Sequence, residues 1–108
     1  MRYIRIDYTV KPDIDLDNFK AAIAEFVAGI RSHHPEHRYT SFQHPGDPNR
    51  FIHIGEVVEE VLPDLQRQPF FREFTEYLPG QCSSGPEAIR LDRVASTVAQ
   101  PAVSSIGK

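Results

Sequence analysis

A histidine stands in the middle of the apolar run RFIHIGEV: His53, between Ile52 and Ile54. Imidazole exchanges a proton near neutral pH, so a histidine held in a strand is a candidate general base or acid, or else an interface group. Three tyrosines, Tyr3, Tyr8 and Tyr39, fall in strand-like stretches, where their hydroxyls could hydrogen-bond a phenolic or quinone-like ligand or simply pack. Glu56 closes the run that holds His53, and its carboxylate could orient the next helix or act as an acid or base in a pocket. His53, Tyr8 and Glu56 are the candidate catalytic residues. Phe19, Phe26, Phe71 and Phe74 form either plain core or the wall of an apolar pocket between helices and sheet. The run SHHPEHRYTSFQH holds His33, His34, His37 and His44, but adjacent histidines at a helix end diverge, Pro35 forces a turn, and no Cys or regular i, i+4 pair within a helix completes a metal site. No metal site is expected there. Cys82 is the single cysteine and has no partner for a disulfide.

These side chains need strands and helices to place them. From Tyr3 to Val10 the pattern alternates, with Ile4, Ile6, Tyr8 and Val10 on one face and Tyr3, Arg5, Asp7 and Thr9 on the other. Asp15 or Asp17 can cap the helix that follows, in which Phe19, Ile23, Phe26, Val27 and Ile30 make one stripe, and which should stop near His34 because Pro35 disfavours helical geometry before it. HRYTSFQ and RFIHIGEV read as an antiparallel hairpin across the turn HPGDPN. EEVLPDLQRQ and PFFREFTEYL read as two short helical pieces broken at Pro69, PGQCSSGP as a loop, and EAIRLDRVA as a last strand. Residues 96–108 read as a flexible or partner-ordered tail after a domain spanning 1–95.

The order strand, helix, strand, strand, helix, strand implies an α+β, ferredoxin-like βαββαβ domain: a four-stranded antiparallel sheet with helices on one face. If the helices cover Ile4, Ile6 and Tyr8, the open face carries Tyr3, Arg5, Asp7, His53, Arg90 and Asp92. A chain of 108 residues with an uncovered sheet gains stability by pairing that face with a second copy, so a homodimer is expected. Net charge is −3 with the 12 basic residues scattered, which argues against a nucleic-acid partner. No apolar run approaches the roughly 20 residues of a membrane span, and MRYIRIDYTV lacks the apolar core of a signal peptide, pointing to a cytoplasmic protein.

With YTVKPDIDLDNFKAAIAEFVAGIR, RYTSFQHPGDPNRFIHIGEV and QPFFREFTEYL in this order, the chain resembles the antibiotic biosynthesis monooxygenase-like family over roughly residues 2–94. Its members are small ferredoxin-like chains that pair sheet to sheet as dimeric α/β barrels. Where that family often carries a histidine in the second helix and an aromatic after the strand-ending glutamate, this chain has Leu65 and Val57, and it has no Trp. The resemblance implies oxidation of a small aromatic or polyketide-like molecule without a metal or flavin cofactor. Leu65 joins Phe19, Phe26, Phe71 and Phe74 as a candidate ligand-binding residue. The alternative is a non-catalytic dimer of the same fold that binds a small molecule or assists other proteins. The direction in which His53 points separates the two.

Overall fold

The computed structural model describes residues 1–98. Its elements are β1 (Arg2–Val10), α1 (Leu16–His33), β2 (Arg38–His44), β3 (Asp47–Val57), α2 (Leu62–Gln66), α3 (Pro69–Gln81) and β4 (Cys82–Leu91). The strands form one antiparallel sheet in the order β2-β3-β1-β4, the ferredoxin-like arrangement expected from the sequence. No helix among the described residues is long and apolar enough to cross a membrane.

Asp15 caps α1 by accepting the Asn18 backbone N–H at 3.2 Å. The stripe Phe19, Ile23, Phe26 and Ile30 is buried against the sheet, and α1 ends as His34 donates its backbone N–H to the Ile30 carbonyl ahead of Pro35. Pro69 sits in the first turn of α3 after Gln68 in extended geometry, so the chain breaks between α2 and α3 where proline dictates. That break lets α3 turn Phe74 onto Phe26, with ring centroids 4.3 Å apart and planes 17° from parallel, a packing worth about 1 kcal/mol beyond the area it buries.

Three local readings change. The β2–β3 turn is only Pro45-Gly46, because Asp47 already pairs with His44 and β3 starts there. The expected loop PGQCSSGP is instead divided between the last turn of α3 and the start of β4. Gly85 makes this possible: its φ of +79° lets the strand bulge past β1, where a Cβ would lie 2.8 Å from the Asp7 carbonyl oxygen. β4 ends at Leu91 rather than running on to Ala95. Of the expected tail, Ser96–Val98 form a short bend in which the Ser96 hydroxyl accepts the Val98 N–H at 3.0 Å, and residues 99–108 lie outside the described residues.

The larger correction concerns sheet faces. His53 pairs with Ile6, Phe51 with Tyr8 and Gly55 with Ile4, and residues paired across strands share a face. His53 therefore lies under the helices and is 1% exposed, not on the open face. Arg90 pairs with Ile4, so it too leaves the open face, and Asp92 lies beyond the end of β4. Ile52 and Ile54 flank His53 and look like the inward residues of that run, yet the pairing sends them outward. The open face is consequently more apolar than the sequence reading had it: Phe42, Ile52, Ile54, Ile89 and Leu91 lie there among Tyr3, Arg5, Asp7 and Arg50.

Candidate active site

Burial of His53 beneath the helices brings it between two tyrosines. Tyr8 Oη is 2.8 Å from Nε2 and Tyr39 Oη is 2.7 Å from Nδ1. The three rings come from three adjacent strands, Tyr8 from β1, His53 from β3 and Tyr39 from β2, all on the helix-covered face. Burial lowers the His53 pKa from 6.5 to about 4, because a charged imidazolium loses its hydration in this apolar layer. Burial likewise makes both tyrosine hydroxyls less acidic than free phenol. At neutral pH all three groups are uncharged.

A neutral imidazole offers one N–H and one acceptor nitrogen. If Nδ1 carries the hydrogen, Tyr8 donates to Nε2, Nδ1–H donates to Tyr39 Oη, and the Tyr39 hydroxyl hydrogen is free for a ligand. If Nε2 carries it, Tyr39 donates to Nδ1 and presents a lone pair instead. The Tyr8 hydrogen is then left among Phe19 and Phe51, whose rings lie 5.9 and 5.8 Å from its own, at a cost of about 1–3 kcal/mol. The first arrangement satisfies every polar hydrogen of the three except that of Tyr39, which makes Tyr39 the hydroxyl that faces outward from the chain of three.

Tyr39 and His53 line a cavity of about 160 Å³ between the sheet and α2 and α3. Its other walls include Ile4, Ile6, Phe26, Leu65, Phe71 and Phe74, and its exposed lining residues Gln66 and Thr75 put the opening between α2 and α3. The volume is close to that of an engineered apolar cavity of about 150 Å³ that takes up benzene. It fits a single-ring molecule.

Of the residues expected from the sequence, the structure gathers His53, Phe26, Leu65, Phe71 and Phe74 around this cavity. Tyr8 stands one residue behind, touching His53 but not the cavity. Phe19 is fully buried core against Tyr8, Phe51 and Tyr77. Glu56 pairs with Tyr3 and Arg38 on the open face, away from the cavity, and α2 has no side-chain cap. The histidines of the rich run are each separately engaged. His33 Nδ1 lies 2.9 Å from the Gly29 carbonyl oxygen, His34 Nε2 2.8 Å from the Asp64 carboxylate, His44 Nδ1 accepts the Gly46 N–H at 3.0 Å, and His37 Nδ1 accepts the Val58 N–H at 3.0 Å. Among the described residues no group of three or more His, Cys, Asp or Glu is arranged to hold a metal ion. Tyr39, which the sequence offers as a hydrogen-bonding or packing tyrosine outside the candidate site set, also lines the cavity. Counting strand parity outward from Phe51 through the hairpin would have placed it beside His53.

No family model and no curated protein matches the sequence. Solved structures match throughout the fold. One named as an antibiotic biosynthesis monooxygenase superposes with a TM-score of 0.75 at 20% identity, covering 88% of this chain and all of that one. A mutant of SnoaB, a cofactor-independent oxygenase from Streptomyces nogalater, gives 0.71 at 16%, covering 89% and 95% of the two chains. A conserved protein from Methanosarcina mazei gives 0.74 at 16%, covering 86% and 92%. At such identities the likeness is one of fold, and it bears out the resemblance read from the sequence at that level.

Proposed function

We propose that this chain, which shares the fold of the antibiotic biosynthesis monooxygenases, is itself an oxygenase that oxidises a small aromatic molecule in the cavity beside Tyr39 and His53. The observation that carries this reading is the uncharged Tyr8–His53–Tyr39 chain ending at an apolar, single-ring-sized cavity. A carbanion can reduce oxygen directly, so the protein need only take up a proton, stabilise the resulting anion and exclude water. The substrate proton passes to Tyr39 Oη as the Tyr39 proton passes to Nδ1 of His53, once the ring has shifted from its resting form to the tautomer with hydrogen on Nε2, at the cost of about 1–3 kcal/mol noted above. The imidazolium so formed donates to both tyrosine oxygens, and Tyr39 donates to the substrate oxyanion. Oxygen then bonds to the anionic carbon, His53 returns its proton to the distal oxygen, and loss of water leaves a carbonyl. In sum, a CH2 carbon and O2 give C=O and H2O.

Magnitudes narrow the substrate. Moving a proton from a group of pKa about 10 to an imidazole of pKa about 4 is uphill by about 8 kcal/mol, half of the roughly 16 kcal/mol barrier that corresponds to a typical turnover of ten per second. A substrate much less acidic than phenol would exhaust that barrier. Candidates are therefore single-ring phenols and ring ketones with an activated CH2 group. Screened with an oxygen electrode, at least one should consume oxygen and yield a product heavier by one oxygen and lighter by two hydrogens. Uptake by none of them would leave the fold as a binding module.

The open face completes the reading as a homodimer. Phe42 is 52% exposed, Ile89 42% and Leu91 37%, a large apolar area for a small chain to leave in water. Arg50 and Arg5 both pair with Asp7 at 2.8 Å in the middle of this face, so part of the charge that a partner must cover is already neutralised. A second copy meeting this face about a two-fold axis buries the same patch on each side. Sedimentation should give twice 12.3 kDa, and Ile54→Asp, which sets a lone carboxylate in the middle of the seam, should weaken the dimer a hundredfold or more. A wild-type chain that stays monomeric at high concentration would contradict this.

A further inference from the structure

His37 is a further polar group in the cavity wall, on which the oxidation scheme makes no demand. It lies just before β2, two residues from Tyr39 on the same side, and is 7% exposed. Its Nδ1 accepts the Val58 backbone N–H at 3.0 Å. A nitrogen that accepts carries no hydrogen, so in the neutral ring the hydrogen is on Nε2. That Nε2 is buried and has no partner among the described residues. Burial, reinforced by the nearby His34 and opposed by Glu36, pushes the His37 pKa down, which keeps the ring in this neutral form. Buried donors without partners are rare because they forfeit their hydration, and the cavity that His37 lines is mostly apolar, with Val57, Leu62 and Leu65 among its walls. His37 and Tyr39 are two residues apart, so their Cα atoms lie at most about 7 Å from each other, roughly the span of one ring with an oxygen at each end.

We propose that His37 is a specificity-determining residue whose Nε2–H donates to a carbonyl oxygen on an uncharged single-ring ligand, while Tyr39 holds an oxygen at the ring's other end. This inference rests on the same cavity as the oxygenase reading and names its ligand class, but it concerns binding and not turnover. A ligand without the carbonyl leaves the donor unpaired and loses affinity. A carboxylate in the same place would be a charge taken out of water with no cation in the cavity wall nearer than Arg2, which is itself paired with Glu59 at 2.9 Å.

The test compares two probes, 4-hydroxybenzaldehyde and 4-methylphenol, which share the phenol and differ in the carbonyl. Calorimetry is done below the phenol pKa of each, so that both are uncharged. The wild type should bind the aldehyde at least tenfold more tightly. In His37→Asn the side-chain oxygen can still accept the Val58 N–H but nothing reaches the Nε2 position, so the preference should fall to within twofold. His37→Gln, which returns an amide N–H to that position, should restore part of it. In the wild type, the His37 Nε2–H proton resonance should shift downfield with the aldehyde and not with 4-methylphenol, a readout that does not depend on the variants folding. Equal affinity for the two probes, binding of neither, or an unchanged preference in His37→Asn would overturn the proposal. Because no step requires oxygen, binding as described together with absent oxygen uptake would refute the oxidation alone.

Discussion

Tyr39→Phe is expected to lower kcat for oxygen uptake about a hundredfold while leaving the fold intact. The hydroxyl is the one polar group that both touches His53, at 2.7 Å, and faces the cavity. It carries the substrate proton to Nδ1 and then donates to the oxyanion, and removal of a single preorganised donor of this kind costs roughly 10²–10³ in rate. KM should change much less, because the lost bond strengthens only as charge develops on the substrate. The phenylalanine keeps the ring that packs edge-on against Phe26 at 5.5 Å, so the core is not opened. A fall in affinity with an unchanged kcat would mean that Tyr39 only binds.

The second large effect is on stability against pH. His53 has a folded-state pKa of about 4 against an ordinary value of 6.5. The folded protein thus binds the proton less well than the unfolded chain, and stability rises with pH wherever the unfolded histidine is charged and the folded one is not. The contribution is fully present above the unfolded pKa, is lost as pH drops from about 6.5 to about 4, and amounts to about 3 kcal/mol. His37, lowered in the same direction by burial, adds to the same slope. Asp7 is held below its usual range first by its hydrogen bond from Arg50, and Asp64 by that from His34. Both act chiefly below pH 4, outside this window. Urea unfolding at intervals from pH 7.5 to pH 4 should show the loss, and His53→Gln, which does not titrate, should flatten most of it. A stability that stays level across that range would contradict the burial of a neutral His53.

Much of the fold was legible because backbone geometry leaves few readings of strong signals. The alternation of β1, the stripe of α1, the Pro35 stop and the Pro69 break each have one physical interpretation, and the structure follows them. The cavity wall was partly legible too, since Phe26, Phe71 and Phe74 are helix residues whose spacing aims them at the sheet. The site itself was not. Which face a strand residue occupies depends on register, and a one-residue shift sends every side chain to the opposite side. Between Ile52 and Ile54, His53 reads as a polar residue facing the open side, whereas Phe51, His53, Gly55 and Val57 are the inward residues. The same parity moved Glu56 to the open face and away from any chemistry in the cavity. His37 was concealed differently: within a cluster of histidines it suggested a metal, and only the Val58 N–H on its Nδ1 shows that its other nitrogen is the free donor.

The claim on which the rest depends is that reaction takes place inside the cavity beneath α2 and α3, and Thr75→Trp tests it most directly. Thr75 is exposed on α3 at the cavity opening, so an indole there can plug the entrance without disturbing the core. The measurement is oxygen uptake by this variant beside the wild type with the best substrate of the screen. At least a tenfold loss with an unchanged unfolding midpoint is expected, and undiminished uptake through a plugged opening would place the chemistry elsewhere on the molecule.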